Sequence, residues 1–197
     1  ADSNSVVVGG HSLGGVKASD FLQNNKTDIQ GIVYFASFPS QGVAGIAAHN
    51  IDDYEGYMLS IAGQEDAQST PADCYEGYES YEEAECRYWV LLDSVAHGGF
   101  GDYNNPDQPV GSLGRQNVTA SIRHYLVSFM EYAFKGDASA GDYLNRSDMQ
   151  TSNTLEFETN CLYISGPKEV CTGDTAEYEI GYDAGNLYCW QIDNGSF

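Results

Sequence analysis

The residue best suited to covalent chemistry is Ser12, which lies in Gly10-His11-Ser12-Leu13-Gly14 and matches the pattern G-x-S-x-G. The pattern is informative because an apolar run predicted to be a strand precedes it and a predicted helix follows it. A turn between strand and helix strains the serine backbone, and Gly10 and Gly14 give it room. A serine presented in this way can attack a carbonyl carbon, with the backbone N–H of Leu13 directed at the developing oxyanion.

A general base and an orienting carboxylate must accompany this serine, because a hydroxyl alone is a weak nucleophile. His97 and Asp66 are the predicted base and acid, since each directly follows a predicted strand. The carboxyl ends of parallel strands share one edge of a sheet, so both side chains are expected near Ser12. The chain order serine, acid, histidine is the one found with this strand–turn–helix motif. Glu65 and Asp93 stay open as alternatives for the acid.

The other histidines are weaker candidates for the base. His11 lies inside the turn and is expected beside the nucleophile, in a substrate-binding position. His49 is in a predicted loop and His124 in a predicted helix, and neither follows a strand. Gly98 and Gly99, directly after His97, are expected to leave space for a substrate or a loop.

Alternating strands and helices are predicted to position these side chains. Apolar runs indicate strands at 5–8, 29–38, 57–62 and 87–95. Helical periodicity indicates helices at 14–22 and 116–134, with a helix or loop at 42–49 and an acidic, partly helical connection at 64–85. This alternation predicts an α/β fold with a doubly wound, mostly parallel sheet and helices on its faces.

The composition changes after Gly136. Residues 137–154 are rich in Gly, Asp, Ser and Asn and are predicted to be a linker. Residues 155–197 contain short alternating segments that indicate β-strands separated by turns. The sequence therefore predicts a catalytic α/β region over 1–136 and a small β-rich segment at the C-terminus.

The charge balance excludes several classes of partner. The chain has 29 acidic and 8 basic side chains and a formal net charge of -21. Nucleic acids and anionic membrane surfaces both require clustered Lys and Arg, so neither is an expected partner. No apolar run approaches the roughly 20 residues needed for membrane insertion. The expected partner is a small-molecule substrate.

The cysteines and sequons favour a secreted, disulfide-containing glycoprotein. Cys74 and Cys86 could close a small loop, and three further cysteines lie nearer the C-terminus, at Cys161, Cys171 and Cys189. None has a C-x-x-C spacing, so no zinc site is expected. The N-x-S/T pattern occurs four times, at Asn25, Asn117, Asn145 and Asn194.

Three segments carry a resemblance to a known family: GGHSLGG, LSIAGQEDAQSTP and AHGGFGDY. They resemble the α/β-hydrolase family, and most closely the dienelactone-hydrolase-like esterases, over about residues 5–134. In that group the histidine segment has the form N-H-x-x-F-G-x-Y, whereas Ala96 stands here in place of the asparagine. The resemblance implies Ser12 as nucleophile, Asp66 as acid and His97 as base in hydrolysis of a carboxylic ester or related acyl compound, without metal or cofactor.

The chain departs from this family at both ends. Strands and helices normally precede the nucleophile strand, and one of their loops supplies a second oxyanion N–H. A larger parent chain or complex is therefore expected to supply the missing N-terminal half. The tail resembles, weakly, the start of an immunoglobulin-like or PKD-like module. Two alternatives stay open for it: continuation in a longer parent chain, or packing on the hydrolase core through Cys161, Cys171 and Cys189. The alternatives to an esterase are a non-catalytic binding module of the same fold or another acyl-transfer enzyme, such as a thioesterase or peptidase.

Overall fold

The computed structural model describes residues 6–40, 47–102 and 105–161, and the backbone of 164–165 and 179–180. The chain divides into two units, Ala1–Cys161 and Leu162–Phe197. Five strands of the first unit form one sheet in the order β1 (Val7–His11), β2 (Gly31–Phe35), β3 (Tyr57–Gly63), β4 (Cys86–Leu92) and β5 (Thr154–Thr159). Neighbouring strands from β1 to β4 are parallel, and β5 is antiparallel to β4. The predicted α/β fold with a mostly parallel sheet is confirmed.

Helices follow the strands and connect them. They are α1 (Leu13–Gln23), α2 (Pro71–Glu79), α3 (Arg115–Lys135) and α4 (Ala138–Asn145), with 3-10 turns at His97–Phe100 and Ser147–Met149. The helix predicted at 116–134 corresponds to α3, and the acidic connection contains α2. Of the helix or loop predicted at 42–49, residues 42–46 lie outside the described part of the chain.

Both faces of the sheet are covered, because side chains alternate across each strand. Ile32 and Tyr34 of β2 belong to one core, which includes Leu22 of α1 and side chains of α2. Val33 faces the other way and belongs to a second core with Phe129 of α3 and Leu144 of α4. Strands buried on both faces have continuous apolar sequences, which is why the runs in the sequence are uninterrupted.

The segment predicted as a linker, 137–154, contains α4 and a 3-10 turn instead. Asp137 caps α4 by accepting a hydrogen bond from the backbone N–H of Ser139 at 2.9 Å. Ala140 and Leu144, one helical turn apart, are buried. Capping and this apolar pair stabilise a short helix despite its Gly and Asp content.

Residues 154–159, at the start of the predicted β-rich segment, form β5 at the edge of the main sheet. The register places Tyr88 opposite Thr159, which brings Cys86 opposite Cys161, and these two cysteines form a disulfide. The Cys74–Cys86 pairing considered from the sequence is wrong, since Cys74 is buried as a free thiol.

The second unit contains one described strand pair. Strand β6 (Ile164–Ser165) is antiparallel to β7 (Glu179–Ile180). Cys171, Cys189 and the sequon at Asn194 lie outside the described residues, as does most of the tail that resembles a β-sandwich module. Among the described residues, no helix has the length and apolar character to cross a bilayer.

Candidate active site

Ser12 is held in a strained turn between β1 and α1. Its backbone has φ 55° and ψ -128°, a conformation that costs a non-glycine residue about 1–3 kcal/mol. Residues at the end of β2 and just beyond it hydrogen-bond the backbone N–H and C=O of Ser12. The Ser12 N–H donates to the carbonyl of Phe35 at 3.1 Å, and the Ser12 carbonyl accepts from Ser37 Oγ at 2.6 Å. The strain is therefore maintained by packing and hydrogen bonds from a neighbouring strand.

Two glycines make this turn possible. A Cβ at position 10 would lie 2.4 Å from the carbonyl carbon of Gly14, and one at position 15 would lie 2.4 Å from Ser37 Oγ. A Cβ at position 14 would meet no atom within 4 Å. Gly10 and Gly15 are thus required sterically, whereas the prediction that Gly14 gives the serine room is wrong.

His97 faces Ser12 from the 3-10 turn that follows β4. Its Nε2 lies 2.8 Å from Ser12 Oγ, and its side chain is buried. The glycines after it allow close packing of a loop. A Cβ at Gly98 would lie 2.2 Å from the carbonyl oxygen of Gln108, and one at Gly99 would also meet this loop. The sequence predicted that these glycines leave space for a substrate or a loop, and in the structure a loop occupies that space.

Asp66 lies on the far side of His97, buried just beyond β3. Its Oδ2 is 2.8 Å from His97 Nδ1, while its Oδ1 accepts backbone N–H bonds from Gln68 at 2.8 Å and Ser69 at 2.9 Å. A carboxylate accepts only, so His97 carries its proton on Nδ1 and offers Nε2 as an acceptor for the serine proton.

The alternative acids do not contact His97. Glu65 is exposed, beside the buried Asp66. Asp93 directly follows β4, and its Oδ1 accepts a hydrogen bond from Ser94 Oγ at 2.9 Å. Among the candidates weighed from the sequence, the structure brings Ser12, His97 and Asp66 together in one hydrogen-bonded chain.

His11 lies beside His97. Its Nε2 donates to the main-chain carbonyl of His97 at 3.1 Å, and its ring is 4.7 Å from the His97 ring and 6.0 Å from that of Phe100. Burial lowers the pKa of His11, and the neighbouring His97 lowers it further. Leu13 is the first residue of α1, so its N–H has no acceptor within the helix, and its side chain is exposed.

The remaining histidines lie elsewhere. His49 Nδ1 accepts the backbone N–H of Ser40 at 3.0 Å, and His124 Nε2 donates to the carbonyl of Tyr143 at 3.1 Å. In the part of the chain that the structure describes, no group of three or more His, Cys, Asp or Glu side chains could hold a metal ion.

The supporting residues just after β2 and in the turn that carries His97 were not predicted from the sequence. Ser37 hydrogen-bonds the nucleophile's carbonyl, and the buried Ala36 before it has φ 46°. Phe100 stacks on His11. The available signal was positional: Ala36 and Ser37 lie near the carboxyl end of a predicted buried strand, so they belong to the same sheet edge as the catalytic candidates.

Comparison with known proteins agrees with this geometry. Residues 1–109 match the sequence model of the alpha/beta hydrolase family, and this segment spans more than half of the chain and contains all three residues of the hydrogen-bonded chain. No curated protein matches the sequence. With the family match, the parallel sheet and the strained serine turn taken together, the chain belongs to the alpha/beta hydrolase family.

Proposed function

We propose that the protein is a serine hydrolase that cleaves a carboxylic ester or a related acyl compound through a covalent acyl-enzyme. The observation that carries this proposal is the unbroken path from Ser12 Oγ to His97 Nε2 and from His97 Nδ1 to Asp66 Oδ2, each step being 2.8 Å. The strained backbone of Ser12 supports it, since strain of this kind is found at catalytic nucleophiles.

In the acylation step, Ser12 Oγ attacks the carbonyl carbon and His97 Nε2 takes the hydroxyl proton. Asp66 stabilises the resulting imidazolium and keeps the ring oriented. The carbonyl oxygen becomes an oxyanion, to which the N–H of Leu13 donates at the start of α1. When the tetrahedral intermediate collapses, His97 returns the proton to the leaving alcohol, and the acyl group stays on the serine.

In the deacylation step, water replaces the alcohol. His97 takes a proton from the water, the hydroxide attacks the acyl carbon, and the proton returns to Ser12 as the carboxylic acid leaves. This sequence uses side chains and backbone of the chain alone. Within the family, the resemblance of the His97 segment to dienelactone-hydrolase-like esterases supports a small ester as substrate.

We further propose that a larger parent chain or a partner subunit completes the oxyanion site. Among the described strands, β1 pairs only with β2, so its other side is open to a further strand. A loop from such an element would supply a second N–H donor. One oxyanion donor contributes on the order of 100- to 1000-fold in rate, so this contribution would be measurable.

Secretion is the localisation that we propose. The Cys86–Cys161 disulfide supports an oxidising compartment. Among the described sequons, Asn117 has an exposed side chain, which favours it as a glycosylation site. Asn145 is partly buried, which disfavours modification there.

The test is covalent labelling of the purified chain with a fluorophosphonate, followed by mass spectrometry to locate the adduct. We expect an adduct on Ser12 in the native chain and none in Ser12→Ala. Equal labelling of the Ser12→Ala variant would refute the assignment of the nucleophile. A folded native chain that takes no label would favour the alternative hypothesis, a non-catalytic binding module of the same fold.

A further inference from the structure

His11 connects the nucleophile strand to the turn that carries the base. It is the residue directly before Ser12, and its Nε2–H donates to the carbonyl of His97 at 3.1 Å. The ring also packs against both side chains at the ends of that turn, His97 and Phe100. The two reacting groups are therefore linked twice: through the Ser12–His97 hydrogen bond, and through this neighbouring bond from side chain to main chain.

The backbone–backbone hydrogen bonds between the turn and the loop 108–110 come from a different side. The N–H of Ala96 donates to the carbonyl of Val110 at 3.1 Å, and the N–H of Gly98 donates to that of Pro109 at 2.9 Å. These bonds fix the turn to the loop behind it but not to the nucleophile. Of these contacts, the bond from His11 is the one that originates on β1.

A hydrogen bond from His11 to an ester substrate fits this geometry poorly. The single N–H of a neutral imidazole is used by the His97 carbonyl, which leaves Nδ1 as an acceptor. The carbonyl and alkoxy oxygens of an ester also only accept hydrogen bonds, so they gain nothing from Nδ1. Burial lowers the pKa of His11, which favours this neutral form.

We infer that His11 is a positioning residue that sets the distance between His97 and the nucleophile by holding the His97 main chain against β1. Its effect on catalysis rests on the proposed function. Its effect on the order of the His97 ring does not, because the bond to the His97 carbonyl exists without substrate. A displacement of about 1 Å in a catalytic group lowers the rate on the order of 100-fold, so the loss of this bond has a measurable consequence.

Two substitutions separate the hydrogen bond from the ring contact. His11→Gln keeps an N–H donor at the end of a side chain of similar reach, and His11→Phe keeps an aromatic ring without a donor. His124→Phe is the matched control, because His124 also donates from Nε2 to a main-chain carbonyl at 3.1 Å and also packs against aromatic rings, but it lies outside the site.

Each variant is measured in two ways, after thermal unfolding has shown that it is folded. The first is the rate constant of fluorophosphonate labelling at Ser12. The second is the NMR signal of the His97 Nδ1–H, which is hydrogen-bonded to Asp66 and is assigned by its loss in His97→Gln. The NMR signal reports the order of the base whether or not the serine reacts.

We expect His11→Phe to label roughly 10- to 100-fold more slowly and to broaden or lose the His97 signal. His11→Gln and His124→Phe should stay within about threefold of the native rate and keep the signal. The inference is overturned if His11→Phe keeps a native signal, or if His11→Gln and His11→Phe lose it equally. A native chain that keeps the signal but takes no label would refute the proposed function alone, and the signals of the variants would still decide the role of His11.

Discussion

Replacing Asp66 by Asn should disable the base without unfolding its surroundings. Two backbone N–H groups, of Gln68 and Ser69, donate to Oδ1 of the native carboxylate at 2.8 and 2.9 Å. In Asp66→Asn the amide must turn its oxygen towards these donors, because an NH₂ group there would oppose both of them. The NH₂ group then faces His97 Nδ1 in place of Oδ2.

This orientation reverses the tautomer of the base. Since the amide donates, His97 Nδ1 must accept, and the ring proton moves to Nε2, which is 2.8 Å from Ser12 Oγ. A nitrogen that already carries a proton does not take one from the serine. The equivalent substitution in a serine protease triad lowers the rate about 10⁴-fold. At about 1.4 kcal/mol for each factor of ten, this is a loss of about 5.5 kcal/mol of transition-state stabilisation.

The assay is the second-order rate constant for fluorophosphonate labelling of Ser12, measured from intact mass over time. Glu65→Gln is the matched control, because it removes an adjacent but exposed carboxylate, and its rate should stay within about twofold of the native rate. The unfolding temperature of Asp66→Asn should remain near the native value. A folded Asp66→Asn protein that labels within tenfold of the native rate would refute the assignment of Asp66 as the orienting acid.

Four further substitutions test the packing around the site and the disulfide. Gly15→Ala should lower the free energy of unfolding by about 1–3 kcal/mol, because its Cβ would meet Ser37 Oγ at 2.4 Å. Gly14→Ala should be neutral or stabilising by up to about 1 kcal/mol, because its Cβ would meet no atom within 4 Å. Urea unfolding compares the two variants, and equal stabilities would contradict the packing argument. Ser37→Ala should slow labelling of the nucleophile with little change in melting temperature, and a native rate would show that its bond to the nucleophile carbonyl is dispensable. Cys161→Ser opens a disulfide that spans 75 residues, so unfolding by denaturant should lose about 4 kcal/mol in the chain-entropy treatment, and an unchanged midpoint would count against the bond to Cys86.

The local sequence predicted the parallel part of the fold well. Strands β2 to β4 are buried on both faces and therefore appear as short apolar runs, which end in polar or small residues. The edge strand β1 is only partly buried, but it follows the same pattern. Because those runs end at one edge of the sheet, the placement of Ser12, Asp66 and His97 near one another followed from topology. The choice of Asp66 over Glu65 agrees with the structure, because Asp66 is buried and Glu65 is exposed. The sequence alone gave no firm criterion to choose between these two adjacent carboxylates.

The C-terminal part of the sheet depended on contacts that local sequence does not display. Strand β5 pairs with β4 from more than 60 residues away, and its alternating pattern is equally typical of a separate β-module. The disulfide partner of Cys86 follows from this register, so it could not be derived without β5. The signal for α4 was present in the spacing of Ala140 and Leu144, but Gly and Asp residues in the same stretch indicated a linker.

The antiparallel strand β5 has a practical consequence for producing the protein. It covers the backbone edge of β4, and the bond from Cys86 to Cys161 fastens it there. In a reducing cytoplasm this disulfide would not form, so β5 could detach from β4. The backbone N–H and C=O groups of β4 between Tyr88 and Leu92, an apolar segment, would then be unpaired and exposed. An exposed strand edge of this kind pairs with strands of other molecules, and the protein aggregates. Expression in an oxidising compartment should therefore improve the soluble yield as well as the stability of the chain.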